Sequence, residues 1–550
     1  MKNLKYATML GLFFTVGCLD SIVVKNENSA SKEQVVVTPG DVENLIGGAY
    51  RSFWFSMEDW YGGLGLSTVA DELSSSWGNV GMKDMSSEPR VAFNNVTSYG
   101  EINHVEEPWF GIYGSLAAVN DGLRAIFDAD NPVKIGDNGK DNDRAIAYAR
   151  LLQGISYGYL AAVFDQAYVV DETTDLEALA ADPTIAPLKP YTEVMEAAIG
   201  YFQAAIDVAG AAAPFVTEDT WVNGYPMDNA LLAQVANSFI ARYTAAVART
   251  PAKRAAIDWN AVKTRVAAGL TTADDDFGPF ADVYVSWWSD LRWVAANHIW
   301  TRADYHTIGL TDNSGNYDNW LGTPTASRTE FVITTDDRRI HGASPDTSIA
   351  DPDTVDGVIT IDTTITPANQ TPGTKFEFAG GSIFQPSRGT YHFSMYHHTE
   401  WTDYQINVDS KMTTLSYVEM QLLLAEALWR TNDLAGAAAI VNVTREAAGL
   451  TALTGSETDF FKWLIYEKKI ETYVKATGLA YFDRRGWTNS SGEASQVSEL
   501  ISGTPVHYPV PAKELEIGGF LVYSWGGSAG TPGSAGKAIR HTPISRRIRE

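Results

Sequence analysis

The sequence predicts a mostly α-helical protein in which tetratricopeptide-like helix pairs support a loop-rich ligand-binding layer. Three observations carry that expectation. Alanine-rich segments with apolar residues three and four apart fill the first half of the chain, and such segments return after Tyr417. Between about Asp275 and Asp409 the periodicity breaks down, and Gly, Asn, Asp, Thr and Pro become frequent. Small residues on facing helices allow close antiparallel packing, although no strict repeat period is visible, so the pairs are expected to be degenerate.

Taken in order, residues 1–17 read as a lipoprotein signal peptide. Lys2 and Lys5 precede an apolar run from Ala7 to Val16, which ends at Gly17-Cys18. That run is about half the ~20 residues a helix needs to cross a bilayer, and no later segment is apolar enough to do so. Cys18 is the only cysteine, so internal disulfides are excluded and its position suits lipid attachment, although Thr15 stands where Leu is usual. Residues 18–37 are polar and read as a tether. Folding is expected over 38–519, starting with a helix capped by Asp41 that carries Val42, Leu45, Ile46 and Ala49. The clearest helices are Ala145 to Phe164, Tyr191 to Val208 and Ala230 to Ala248. In the middle region, Phe331 to Thr334 and Val358 to Ile365 read as short strands. Helices resume at Tyr417 to Trp429, Leu434 to Ala447 and Asp459 to Val474. Residues 520–550, Gly/Ser-rich and then basic, read as a flexible tail.

Composition narrows the function. Hydrophobic content of 45% and charged content of 20% describe a folded chain with ample core. A net charge of −26 repels phosphate backbones, so nucleic acid is excluded as a partner. The chain holds 16 Trp and 25 Tyr. Flat rings stack on the C–H faces of sugars while amides and carboxyls take the hydroxyls, so a neutral, hydroxyl-rich ligand fits this balance.

The helices also carry a pattern of identities. Tyr417-Val-Glu-Met-Gln-Leu-Leu-Leu-Ala-Glu-Ala-Leu-Trp429, then Asn432-Asp-Leu-Ala435, Asn442-Val-Thr-Arg445 and Ala448-Gly-Leu450 form one block. Glu467-Lys468, Glu471, Tyr481-Phe-Asp-Arg-Arg485, Trp487 and Pro509-Val-Pro511 continue it. Earlier, Trp109, Tyr113, Asn120 and Ala149-Arg-Leu-Leu-Gln-Gly-Ile-Ser-Tyr-Gly-Tyr159 stand on helical segments. Together these resemble the SusD/RagB family of nutrient-binding lipoproteins from about Asp41 to Glu514. Lys475 and Lys468 depart from its usual Glu and Arg. The residues read physically as scaffold: Tyr417, Met420, Leu424 and Leu428 as one packing face, Ala437, Val441 and Ala448 as another. Glu426, Arg445, Glu467, Arg484 and Arg485 read as an ion network between helices.

The resemblance implies a surface-exposed, lipid-anchored protein of the outer membrane. It implies capture of a glycan or similar oligomeric nutrient, which is passed to a SusC-like TonB-dependent transporter. A peptide-binding or protein-interaction scaffold of tetratricopeptide type is the alternative. Family members use the loop after the first helix and the middle region for aromatic ligand contacts. Here those stretches offer Trp77 and Trp320 as the leading platforms, with Trp287, Trp288, Trp293, Trp300 and Tyr305 behind them. Asp71, Asn79 and Asn319 are the candidate hydrogen-bonding groups. No phosphate loop or His-Glu-x-x-His occurs, and no enzyme activity, cofactor or metal is expected. Asp336-Asp337-Arg338-Arg339 reads as a structural turn. The acidic runs at Asp312 and Asp351 miss the calcium-loop spacing.

Overall fold

The computed structural model describes residues 38–75, 78, 80–282, 287–297, 299–340, 374–378, 394–402, 404, 410–487 and 500–527. The signal peptide, Cys18, the tether, Trp77, Asn79 and the 358–365 strand expectation lie outside the described residues.

The first helices are α1 (Pro39–Gly47), α2 (Ala49–Glu58), α3 (Gly62–Val69) and α4 (Met82–Met85), with strand β1 (Leu73–Ser75) between the last two. Thr38, not Asp41, is the N-cap of α1. Asp41 sits three residues in and closes a capping box: its amide donates to Thr38 Oγ1 at 3.2 Å, and its carboxylate takes the Thr38 amide at 2.9 Å. The scaffold proper is α5 (Asn103–Ile126), α6 (Asn142–Val163), α7 (Leu176–Ala181), α8 (Tyr191–Ala211), α9 (Asn229–Ala246), α10 (Pro251–Ala255) and α11 (Trp259–Ala267). The short strands β2 (Gln166–Ala167) and β3 (Lys189–Pro190) pair antiparallel in the α6–α8 connection.

Helices α2 and α5, α5 and α6, α6 and α8, α8 and α9, and α9 and α11 pack as successive neighbours, the chain of pairs the small-residue pattern predicts. A close approach runs along α6. A Cβ on Gly154 would lie 2.6 Å from the Phe202 ring, and one on Gly158 would overlap Tyr243, so only glycine admits the aromatic residues of α8 and α9 there.

The middle region contains α12 (Asp290–Ala296), β4 (Thr301–Ala303), α13 (Tyr305–Ile308), α14 (Asn316–Gly322), β5 (Phe376–Phe378) and β6 (Tyr396–His398). Strand β1 pairs antiparallel with β4, Leu73 opposite Ala303, and β5 with β6, Phe376 opposite His398. Residues 331–334, expected as a strand, have no ladder partner and run irregularly over the core. Helices α15 (Tyr417–Arg430), α16 (Leu434–Ala447), α17 (Phe460–Glu471), α18 (Leu479–Arg484) and α19 (Ala512–Ile517) complete the chain.

Three apolar clusters form the core. The largest lies between α1 and α11 and takes Met420, Leu423 and Ala427 from α15. The opposite face of α15, Leu422 and Ala425, meets Ala437 and Val441 of α16 in the third cluster. The second cluster sits beneath the middle region and is built from Leu64, Leu291, Tyr305, Trp320, Phe376 and Tyr466.

The expected single ion network is in fact several. Glu426 holds Arg254 at 2.6 Å and Arg430 at 2.8 Å, and Arg254 reaches on to Asp483, which also takes Lys468 at 2.6 Å. Glu467 instead holds Arg339, which Asp337 and Glu471 share, so the 336–339 turn is locked to α17. Arg485 has no carboxylate partner among the described residues; it donates to the carbonyls of Val506 and Ala246, the latter at the C-terminus of α9, where the helix dipole favours a cation. Residues 520–527, read from sequence as the start of a flexible tail, are packed: Tyr523 is buried and its hydroxyl donates to Asp165 at 2.7 Å. No helix among the described residues is long and apolar enough to cross a membrane.

Candidate functional site

The link Asp59-Trp60-Tyr61 between α2 and α3 is too short to bury every side chain, and it leaves Trp60 partly exposed. Asp59 stiffens it by accepting the Trp60 amide at 2.8 Å. The stretch leading into α12 supplies the next rings. Successive side chains of an extended segment point to opposite sides. Trp287 therefore turns inward onto Tyr50 and Trp54, 6.0 and 6.2 Å between ring centres, while Trp288 turns outward. Trp293 on α12 and Trp300, just before β4, complete the group.

These four indoles are contiguous and all retain exposed surface. Ring centres lie 5.5 Å apart for Trp60 and Trp300, 5.6 Å for Trp293 and Trp300, 6.4 Å for Trp60 and Trp293, and 6.5 Å for Trp288 and Trp293. Tyr404 packs against Trp288 at 5.3 Å.

A buried polar base holds this face. Ser289 caps α12 and donates to Glu58 Oε2 at 2.6 Å; Glu58 also takes Arg292 and Thr477. Arg292 donates to the carbonyls of Thr413 and Lys475, both at 2.7 Å, and Trp54 Nε1 donates to the Trp288 carbonyl at 3.0 Å. Buried charges held by several hydrogen bonds fix geometry, so the rings above them are preorganised.

Carboxyl groups border the rings. Asp290 accepts Trp288 Nε1 at 2.7 Å; burial first, then a hydrogen bond to Asp59, pushes its pKa up to about 8. Glu107 is raised to about 7, again by burial first and then by the charge of Asp59, while Asn103 donates to it at 3.0 Å. Glu107, Asn103, Phe55 and Phe110 line an open cavity of about 370 Å³ that shares Asp59 with the aromatic face. Such a surface can stack the C–H faces of sugar rings and hydrogen-bond their hydroxyls at its edge.

The sequence candidates divide. Trp288, Trp293 and Trp300 fall in the exposed group. Trp320 does not: it is only 4% exposed, with Tyr305 edge-on at 5.4 Å and the Arg328 guanidinium 4.3 Å over its face, because α14 turns that indole into the second core cluster. Trp287 and Tyr305 are likewise core. Asn319 is exposed on α14. Asp71 does not fall in the exposed group either. It is 2% exposed and paired with Arg90 at 2.5 Å and Arg484 at 3.3 Å, a structural clasp between the α3–β1 turn and α18. Trp60 is the residue the sequence reading missed; its signal was an aromatic residue in a two-helix link beside Gly62-Gly63.

Among the described residues, Asp71, Asp304 and His306 bring possible metal ligands together. Arg90 and Arg484 already neutralise Asp71, and Asp304 caps α13 and accepts from His306, so this trio does not suit a divalent cation.

No family model matches the sequence, and no curated protein does. Solved structures do match. A SusD superfamily protein from Bacteroides vulgatus aligns over 87% of this chain and 97% of its own, with a TM-score of 0.53 at 12% identity. A SusD/RagB family protein from Bacteroides thetaiotaomicron gives 87%, 94%, 0.51 and 16% for the same measures. A SusD-like protein from Bacteroides fragilis gives 83%, 89%, 0.51 and 16%. The architecture is thus a helical-repeat scaffold under an irregular layer. It is the SusD-like fold.

Proposed function

We propose that this protein is a surface-exposed binding lipoprotein of the outer membrane. It captures an oligosaccharide on the face formed by Trp60, Trp288, Trp293 and Trp300 and delivers it to a SusC-like TonB-dependent transporter. The observation that carries this reading is the contiguous group of four partly exposed indoles over a buried, hydrogen-bonded base, since a contiguous patch of exposed apolar ring surface marks a binding surface. The SusD-like fold and the motif resemblance support the transport partner, and Cys18 supplies the anchor. Trp77 and Asn79, which follow β1 directly, remain candidate contacts.

Ring stacking contributes about 1 kcal/mol per indole. Four rings give about 4 kcal/mol, which corresponds to a dissociation constant of about 1 mM before hydrogen bonds are added. A combined glycan and peptide array on the mature protein, followed by calorimetry with the best glycan, tests this. Trp300→Ala and Trp293→Ala are each expected to weaken binding several-fold, and binding to peptides alone would refute the reading.

A further inference from the structure

We propose that the cationic group of Arg249, Lys253 and Arg485, with the ring N–H groups of His507 and Trp525, binds a single oxyanion group: a carboxylate, sulfate or phosphate. It does not rest on the aromatic face. In a chain of net charge −26, the buried guanidiniums of Arg90, Arg242, Arg254, Arg292 and Arg339 each sit on a carboxylate. Arg249 and Arg485, 2% and 3% exposed, do not. Among the described residues they are held by carbonyls, and their Nη1 atoms converge on one, that of Val506, at 3.0 and 2.9 Å. The Arg249 guanidinium also lies 4.2 Å over the Tyr191 ring, and Lys253, exposed on α10, donates to the Tyr191 hydroxyl at 2.6 Å. Three cations thus meet around one phenol and one carbonyl.

Structural duties absorb only part of this charge. Arg249 closes the C-terminal end of α6 through the carbonyls of Ala161 and Phe164, and Arg485 that of α9 through the Ala246 carbonyl. Each helix end offers about half a negative charge, and Asp165, whose carboxylate already takes the Tyr523 hydroxyl at 2.7 Å, supplies about one more at most. About one positive charge is left over in a strongly acidic protein. The neighbouring side chains are short of acceptors too. His507 packs edge-on against Trp525, 4.4 Å between ring centres. Both ring nitrogens of His507, Nε1 of Trp525 and Nε of Arg249 are buried and meet no partner among the described residues. Burial first, and then the charges of Arg249, Arg485 and Lys253, pushes the His507 pKa down to about 2, so its ring is neutral and carries one N–H. An indole carries one as well and accepts nothing. A buried donor without an acceptor costs free energy, and an oxyanion supplies several acceptors and the missing charge together. Lys253 is exposed and Tyr191, His507 and Trp525 are half-buried, which brings the group to the surface on that side.

The test uses sulfate, phosphate and glucuronate as probes. The mature chain is labelled with 5-fluorotryptophan, and the Trp525 fluorine resonance is assigned by its loss in Trp525→Phe. Its shift is followed as the sodium salt of each probe replaces sodium chloride at constant ionic strength. A saturable shift with at least one probe is expected, and the tightest names the source: sulfate or phosphate an inorganic anion, glucuronate the acid group of a sugar. Lys253→Gln, a substitution at an exposed position, should weaken that binding about tenfold through loss of one charge-assisted hydrogen bond. His507→Phe keeps a ring against Trp525, should weaken binding as well, and serves if the first variant fails to fold. A resonance that drifts linearly or not at all with all three salts, or a Lys253→Gln protein that binds as tightly as the wild type, overturns the proposal. No neutral sugar is involved, so failure of the glycan reading leaves this result readable, and the reverse also holds.

Discussion

Asp71→Ala separates the two roles open to that residue, ligand contact and structural clasp. The side chain is buried between two guanidiniums, with Arg90 at 2.5 Å and Arg484 at 3.3 Å. Removing one partner of a buried pair leaves an uncompensated charge and costs about 3–5 kcal/mol. Arg90 keeps other acceptors, Thr504 Oγ1 at 3.0 Å and the Met85 carbonyl at 2.9 Å, and Arg484 keeps the Ala70 carbonyl. Hydrogen bonding therefore survives in part while charge balance does not, which points to the lower end, about 3 kcal/mol. Urea denaturation followed by circular dichroism measures the loss. Combining Asp71→Leu with Arg90→Met and Arg484→Met, which replaces the ions with apolar groups of similar bulk, should recover much of it. Glycan affinity of the folded Asp71→Ala fraction should match the wild type. A loss under about 1 kcal/mol accompanied by weakened glycan binding would refute the reasoning and restore Asp71 to the site.

Other outcomes follow from the same structure. Trp320→Ala should cost about 3–5 kcal/mol as a core cavity while sparing glycan affinity, whereas Trp300→Ala should do the opposite, and calorimetry beside thermal melting distinguishes them. Gly158→Ala forces a methyl group into Tyr243 and should destabilise by about 1–3 kcal/mol, read as a lowered Tm. Glu72 is buried, and desolvation raises its pKa to about 7 against the opposing Val474 amide. A carboxyl whose folded pKa is raised binds its proton more tightly in the folded state. Its contribution is complete below the unfolded value near 4.5 and is lost as pH rises through about 7, on the order of 3 kcal/mol in all. Glu72→Gln should flatten that part of the stability profile, measured by urea titrations across the range.

The scaffold was largely legible because a helix writes its buried face into the sequence at fixed spacing. The α6, α8 and α9 segments were expected within a few residues of their observed bounds. Helix caps were less legible: Thr38 and Asp41 both suit an N-cap, and only the backbone turn decides which one leads. The site was half legible. Tryptophan clusters between 287 and 300 stood out, yet which rings face outward did not. Trp287 and Trp288 are adjacent and alike in composition, but one packs on Tyr50 and the other borders solvent. Trp320 looked exposed because its loop is polar, and α14 nonetheless carries it into the core.

By itself the sequence determined an acidic, aromatic-rich, helical-pair chain with motifs that resemble the SusD/RagB type. Those properties are local or additive, so spacing and composition suffice to state them. Only the tertiary structure decided that Asp71 is buried between Arg90 and Arg484, and that Trp60 joins Trp288, Trp293 and Trp300. Each of these depends on contacts between residues far apart in the chain, and burial and charge pairing at such contacts are set by which helices meet, not by the residues on either side.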